Sequence, residues 1–344
     1  MPIPTHFVQI DEEGFGVSGE LRIQDPQVGQ ELLYNLKLHE GGTLLSTYGN
    51  VPVIVEAFDE PLVASQVSFD DDEWTLQCPY DVTFPFDLES LSLDEWDRFH
   101  GYTKTKIPFV MSRKAQANFF NELEDYDDET ITSEGKTYEI PNYWSANADV
   151  EKEKYWSDVY RQEENPGFNL GEPAEALKDM LPRLKLAKCR VLVMGCGEGH
   201  DAALFASMGH IVTAVDFSPL ALERARKHYG HLENLHFVQA DIFKLPQDFD
   251  SSFDVIFEHT CYCAINPTLR KNLVKVWNRC LTDTGMLMGV FFAFEKRQGP
   301  PYGGTEWELR QRLKDTYQPI FWGRWKNSVP RRQGKELFVY SKKK

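Results

Sequence analysis

The chain has 344 residues with 53 acidic and 37 basic side chains, a length comfortable for two domains and ample for burying a core. Its six cysteines, Cys78, Cys189, Cys196, Cys261, Cys263 and Cys280, show neither the density of a secreted disulfide scaffold nor a C-x-x-C pair, which points to reduced thiols in a cytoplasmic protein and away from a zinc site or any other metal. No basic-then-apolar leader is read at the start, and the longest apolar run, residues 287–294, is too short to span a bilayer, so no membrane association is expected.

Charge divides the chain. Residues 1–146 carry 28 acidic and 8 basic side chains, net −20, whereas residues 147–344 carry net +4. The break predicts an acidic domain over 1–146 and a second domain over 147–344. So acidic a first half argues against nucleic-acid binding, which needs Lys and Arg on phosphates. Its runs at 70–73 and 122–129 read as solvated surface, with a docking face for a basic protein partner as the alternative.

In chain order, the first half offers short β-like runs at 16–23, 42–49, 51–58 and 73–80, then helix-like stretches at 91–99 and 112–125, an α+β pattern. His6 and His100 stand alone there, and no catalytic constellation is visible. A stretch with Pro141 and small polar residues, 135–150, reads as the linker. From about 150 helices and buried strands alternate: helix 172–184, strand 190–195, helix 200–208, strand 211–216, helix 219–229, strand 235–241, strand 253–260, helix 267–281, strand 286–294, helix 305–315, and two last β-like runs. Such alternation predicts a Rossmann-like α/β domain with a parallel, doubly wound, seven-stranded sheet.

In that architecture the loop after the first strand faces the ligand. Here it is Gly195-Cys196-Gly197-Glu198-Gly199, backbone bare enough for a sharp turn and close approach, followed by a helix N-terminus. The spacing is not the dinucleotide G-x-G-x-x-G, and no G-K-[ST] follows to make a P-loop.

G-x-G-x-G after the first strand, with an acid closing the second, resembles class I S-adenosylmethionine-dependent methyltransferases. The resemblance implies that Asp216, 21 residues after Gly195, accepts hydrogen bonds from the cofactor's ribose hydroxyls. It also implies that Asp241 takes the adenine amino group, with Phe217 and Ile242 against the faces of the base. Within the superfamily the chain is similar, over about 155–344, to the thiopurine S-methyltransferase family with its thiol and halide methyltransferases. Gly195 to Asp201 matches that family's G-C-G-x-G-x-D. Residues 154–168 match its covering segment of spaced aromatics, with Trp156 and Tyr160 facing the cofactor and Phe168 the acceptor, one extra residue lying between. Residues 257–267 match the segment after its fourth strand and 299–309 its Pro-Pro-aromatic loop, which puts Pro301 and Tyr302 at the acceptor. One departure is His259, where the animal enzymes have arginine, so their acceptor preference does not carry over.

What the resemblance implies is S-adenosylmethionine-dependent methyl transfer to a small molecule, foremost to a thiol or similar soft nucleophile. Transfer to oxygen, nitrogen or halide is the alternative within the chemistry, and a cofactor-sensing module without turnover the alternative outside it. Displacement at a sulfonium asks mainly for alignment, which can contribute on the order of 7 to 11 kcal/mol. His259 is the expected aid to deprotonation, or else a hydrogen-bonding anchor, and Glu258 a catalytic or orienting carboxylate. Cys261 and Cys263 are expected to pack on the sheet, leaving Tyr262 to face the acceptor. Trp156, Phe168, Phe291, Phe292, Tyr302 and Trp322 are candidates for an aromatic box around the cation.

Overall fold

The computed structural model describes residues 4–344. They form two compact units, one running to Ser145 with Phe294–Arg297 and Thr305–Glu308, the other made of Ala146–Ala293, Gln298–Gly304 and Leu309–Lys344. Two short segments of the later sequence thus belong to the first unit, which a single cut in the chain does not describe.

The first unit is mostly antiparallel β-structure. A six-stranded sheet, in the order Leu21–Arg22, Gly16–Ser18, Phe7–Ile10, Val51–Ala57, Thr43–Tyr48, Lys37–His39, is joined by smaller sheets of three, four and three strands. The helix Pro26–Tyr34 was not among the expected elements, although Asp25 caps it by accepting from the Gln27 N–H and Pro26 opens it, a readable start signal. Conversely, residues 91–99 are not helical. Ser92–Leu93 pairs antiparallel with Phe99–Tyr102, and the turn between is held by Asp94, whose Oδ1 accepts from Trp96 and Arg98. A side chain competing for backbone N–H groups favours a turn over a helix. The acidic run at 70–73 is likewise a hairpin: Asp70 pairs with Glu73, and Asp71 and Asp72 both take positive φ (51° and 60°), the two-residue turn that Asp tolerates.

Beneath these strands lies a buried charge network. His100, 2% exposed, gives one ring nitrogen to Glu60 and the other to Asp94, each at 3.0 Å. Asp94 also holds Arg98 at 2.8 Å, and Arg98 reaches Asp59. Arg297 lies 4.4 Å from the ring centroids of both Tyr102 and Tyr143, while Glu295 accepts from the Tyr102 hydroxyl at 2.7 Å.

The second unit is built on one seven-stranded sheet: β1 (Arg190–Met194), β2 (Ile211–Asp216), β3 (Leu235–Gln239), β4 (Phe253–His259), β5 (Leu281–Phe292), β6 (Tyr317–Trp325) and β7 (Glu336–Lys343), in the order 3-2-1-4-5-7-6. Strands β1 to β5 are parallel, and β7 lies antiparallel between β5 and β6. The fully parallel sheet expected from alternation is corrected at this one strand, which only a single 3-10 turn, Pro330–Arg332, precedes. The helices that bear on the site are α1 (Glu153–Gln162), α2 (Glu175–Leu184), α3 (His200–Ser207), α4 (Pro219–Tyr229) and α5 (Arg270–Cys280). Two apolar layers bury the sheet's faces, one around Leu192, Ile256, Trp277 and Leu287, the other around Val191, Val193, Phe205 and Phe257. The alternation of β1 residues between these layers is the period of two that a strand buried on both faces requires. Strand order reverses between β1 and β4, the place where such sheets receive ligands.

Candidate functional site

At that reversal point β1 ends in the glycine loop. Gly195, Gly197 and Gly199 all have positive φ (62°, 53° and 83°), and a side chain at any of them would be strained. A Cβ on Gly195 would stand 2.8 Å from the Cys261 sulfur, one on Gly197 3.0 Å from the Tyr160 hydroxyl, and one on Gly199 3.0 Å from the Phe237 ring. The Cys196 N–H donates to the Val215 carbonyl at 2.9 Å, drawing the loop onto the end of β2, while Gly199 opens α3.

Asp216, at the end of β2, accepts from the Gly197 N–H at 2.8 Å through one oxygen and from the Ser218 N–H at 2.9 Å through the other. Burial raises its carboxyl above the usual range, and these N–H groups work the other way. A carboxylate with two oxygens has lone pairs left beside these bonds. Asp241 caps the short turn Ile242–Lys244, accepting from the Phe243 N–H at 2.9 Å, and meets Lys244 at 2.9 Å. Phe217 and Ile242 are both half-buried, as apolar walls of a cleft are.

The aromatics of residues 154–168 gather into one cluster. Trp156 and Phe168 meet edge to face at 6.2 Å, and Tyr160 and Phe168 at 5.7 Å. Trp156 anchors its indole N–H on the Val150 carbonyl at 2.9 Å, and Tyr160 is buried. The wider aromatic box does not form as one group. Phe291 meets Tyr262 and Trp277 edge to face in the core, Trp322 on β6 lies under Arg310, and Tyr302 is fully buried, its N–H on the Cys263 carbonyl and its hydroxyl accepting from the Asn147 N–H. Pro301 beside it is exposed.

The segment after β4 corrects a second expectation. The strand stops at His259 and Thr260 takes φ 61°, so alternation breaks. Cys261 swings beneath Gly195, while Tyr262 turns into the core, 5.5 Å from Phe291 and with the Arg270 guanidinium 4.4 Å from its ring. Burial pushes the Cys196 and Cys261 thiols well up and that of Cys263 to about 12, so none is a nucleophile at neutral pH. Among the described residues no group of three His, Cys, Asp or Glu could hold a metal.

His259 and Glu258 are both engaged. His259 Nδ1 lies 2.7 Å from Asp201, and Nε2 lies 2.9 Å from Arg332. Burial opposes a charged ring and Asp201 favours one, but a guanidinium only donates, so Nε2 accepts and the proton sits on Nδ1. No lone pair remains for a substrate proton. Glu258 is 1% exposed. One oxygen accepts from the Tyr262 N–H at 2.6 Å, tying the turn, while the other has no hydrogen-bond partner, and burial pushes its pKa up to about 7.

Arg332 and Arg224, which motif reasoning passes over, and Asp201, which closes the glycine-loop motif, hold these parts together. Arg332, 4% exposed, donates to His259, to the Phe168 carbonyl at 2.6 Å and to Glu336 at 3.3 Å. Asp201 accepts from the Ala174 N–H at 2.8 Å besides His259. Arg224 on α4 reaches the end of α1 and Glu198. No local spacing marks Arg332 or Arg224, since their partners lie 60 or more residues away in most of these contacts; the Ser218-Pro219 start of α4 was readable as a cap.

Comparison with known proteins agrees with this geometry. A probable thiol methyltransferase 2 of Arabidopsis thaliana is 32% identical over 139 residues, 39% of this chain and 61% of that protein. Thiocyanate methyltransferase 1 of the same plant is 31% identical over 152 residues, 43% and 65% of the two chains. Thiopurine S-methyltransferase of Nitrosospira multiformis is 28% identical over 175 residues, 46% and 79%. The chain thus spans under two thirds of the length of the first two relatives. Residues 151–325 match the family described as Thiopurine S-methyltransferase (TPMT), and with the sheet order and the glycine loop in place, the chain belongs to that family.

Proposed function

We propose that the second unit binds S-adenosylmethionine and transfers its methyl group to a small molecule whose sulfur is already an anion at neutral pH. What carries the reading is the side-chain-free loop Gly195–Gly199, tied to Asp216 by the 2.8 Å bond from the Gly197 N–H, with Asp241 at the next strand end. Asp216 would take the ribose hydroxyls, Asp241 the adenine amino group, Phe217 and Ile242 the base, and Trp156 and Tyr160 the covering face. The loop backbone from Gly195 through Cys196 to Gly199 would lie against the amino-acid part. When bound, the cofactor supplies an electrophilic methyl group with a good leaving group.

The chain's own task is then alignment, and Phe168, its carbonyl held by Arg332, forms the acceptor wall. Neither His259, with both ring nitrogens bonded, nor Glu258, shut away from solvent, is placed to take a proton from the acceptor; both act as positioning residues, together with Asp201. Tyr302 and Tyr262 are buried and would not reach the acceptor, whereas Pro301 beside Tyr302 is exposed. The thiol, thiocyanate and thiopurine of the relatives' names are all sulfur nucleophiles. The six free cysteines fit a reducing, cytoplasmic setting, and among the described residues no helix is long and apolar enough to cross a membrane. A basic partner for the acidic half is no part of this reading, because Asp71 and Asp72 are turn residues. Nor is a nucleic acid.

The test is turnover of labelled S-adenosylmethionine with thiols whose pKa values range from about 6 to 10 around the ordinary thiol. The midpoint of the pH–rate profile is expected to move with the acceptor's pKa. A single midpoint shared by every thiol would show an enzyme base and contradict the assignment, and no turnover with any sulfur acceptor would remove it.

A further inference from the structure

Helix α1 lies against the glycine loop through Tyr160, and at its C-terminal end the Tyr160 carbonyl in the last turn and the Glu163 and Glu164 carbonyls just beyond it accept from one residue of another helix. Arg224, on α4, donates Nη2 to the Tyr160 and Glu163 carbonyls at 2.5 and 3.1 Å and Nη1 to the Glu164 carbonyl at 2.7 Å. The same Nη1 holds Glu198 of the glycine loop at 3.0 Å. The guanidinium also sits 5.4 Å from the Tyr160 ring. One planar fork therefore binds the cover to the loop it covers. A lysine, a point charge on a flexible stem, cannot span these four acceptors, and a cation at a helix C-terminus is favoured in its own right.

Elsewhere the cover is tied by the Trp156 indole on the Val150 carbonyl and, at its far end, by Arg332 on the Phe168 carbonyl. Its remaining side-chain tie to α4 is the 3.1 Å contact between the Ser157 and Ser218 hydroxyls, and Tyr160 touches the loop at Gly197. Glu198 is 8% exposed and Arg224 28%, so water can replace the guanidinium at the carbonyls when the pair parts.

We propose that Arg224 and Glu198 are the latch of the cofactor cover: the 224–198 ion pair with its carbonyl bonds holds α1 shut over the loop, and cofactor entry and product release require it to open. They are positioning residues for the methyl-transfer site. The inference rests on the cofactor reading above, yet the latch can be read without any ligand.

The experiment uses the full chain with R224K, which keeps the charge, and E198Q, which keeps the shape. In the ligand-free protein, amide hydrogen exchange over residues 153–168 is expected to quicken by about tenfold in both variants, as for a segment whose local opening has become easier. Release of S-adenosylhomocysteine in stopped flow should quicken by about the same factor, with the unfolding midpoint unchanged. Unchanged exchange in both variants overturns the latch, and so does quicker exchange with unchanged release. A lowered midpoint with no selective change at 153–168 overturns it too, as an ordinary stabilising contact. If the wild type does not bind S-adenosylhomocysteine, the cofactor reading falls while the exchange data still decide whether the latch exists.

Discussion

Glu258 shows how burial can set a residue's role more firmly than its chemistry. Its carboxyl sits at about pH 7 because burial disfavours the charge, and the N–H groups of Tyr262 and Cys261 recover only part of that cost. A carboxyl whose folded pKa lies above its unfolded value binds extra protons in the folded state. Its contribution to stability is complete below about pH 4.3, the unfolded range, and is lost as pH rises through 7. E258Q keeps the accepting oxygen and removes the charge. It is expected to abolish a fall in stability between pH 5 and 8 of roughly 2 to 3 kcal/mol, measured by urea unfolding at the two values. A wild-type protein equally stable at both would show that the carboxyl is not held near neutrality. His259 gives the same lesson by hydrogen bonding. A histidine after the fourth strand suggests a base, but Asp201 on one side and Arg332 on the other leave no free nitrogen, and neither neighbour could be inferred from spacing.

Elements with periodic apolar patterns were legible in the sequence, and those decided by side chains competing for backbone were not. The helix at Pro219–Tyr229 and the strands at Arg190–Met194 and Ile211–Asp216 follow from apolar period and cap signals alone. Residues 91–99 look helical by composition, yet Asp94 takes the Trp96 and Arg98 N–H groups and makes a turn. The glycine loop was legible because close backbone approach demands a residue type, whereas the inward turn of Tyr262 was not, because the strand ends at His259 and Thr260 takes a positive φ. The hairpin that Asp94 organises also anchors the first unit's charge network. Burial alone would lower the His100 pKa, but Asp94 and Glu60 outweigh it and raise it. Its contribution is full below about pH 6.5 and is lost as pH rises through the folded value, whereas that of Asp94, lowered to about 2, is lost only as pH falls towards 2. H100A leaves Glu60 and Asp94 facing each other. It should destabilise the first unit by about 3 to 5 kcal/mol at pH 6, read as an earlier transition in denaturant unfolding; a shift under about 1 kcal/mol would mean that water satisfies the two acids.

At the scale of the molecule, two units of different construction share one chain. The first is antiparallel and acidic, its interior held by ion pairs as well as by apolar packing around residues such as Leu32, Leu76 and Phe109. The second is a doubly wound sheet whose strand order reverses where the glycine loop lies, and all the residues assigned to cofactor and acceptor belong to it. The net −20 of the first half set against +4 of the second signalled a change of construction, but composition could not foresee that Phe294–Arg297 and Thr305–Glu308 return to the first unit. Everything proposed about chemistry depends on an adenosine held between Gly195–Gly199 and Asp216. The most direct measurement is isothermal calorimetry of the full chain with S-adenosylhomocysteine. One site per chain is expected, weakened at least tenfold in D216A, since losing charge-assisted hydrogen bonds costs roughly 1.5 to 3 kcal/mol. No heat of binding at millimolar ligand, or equal affinity in D216A, would contradict the account.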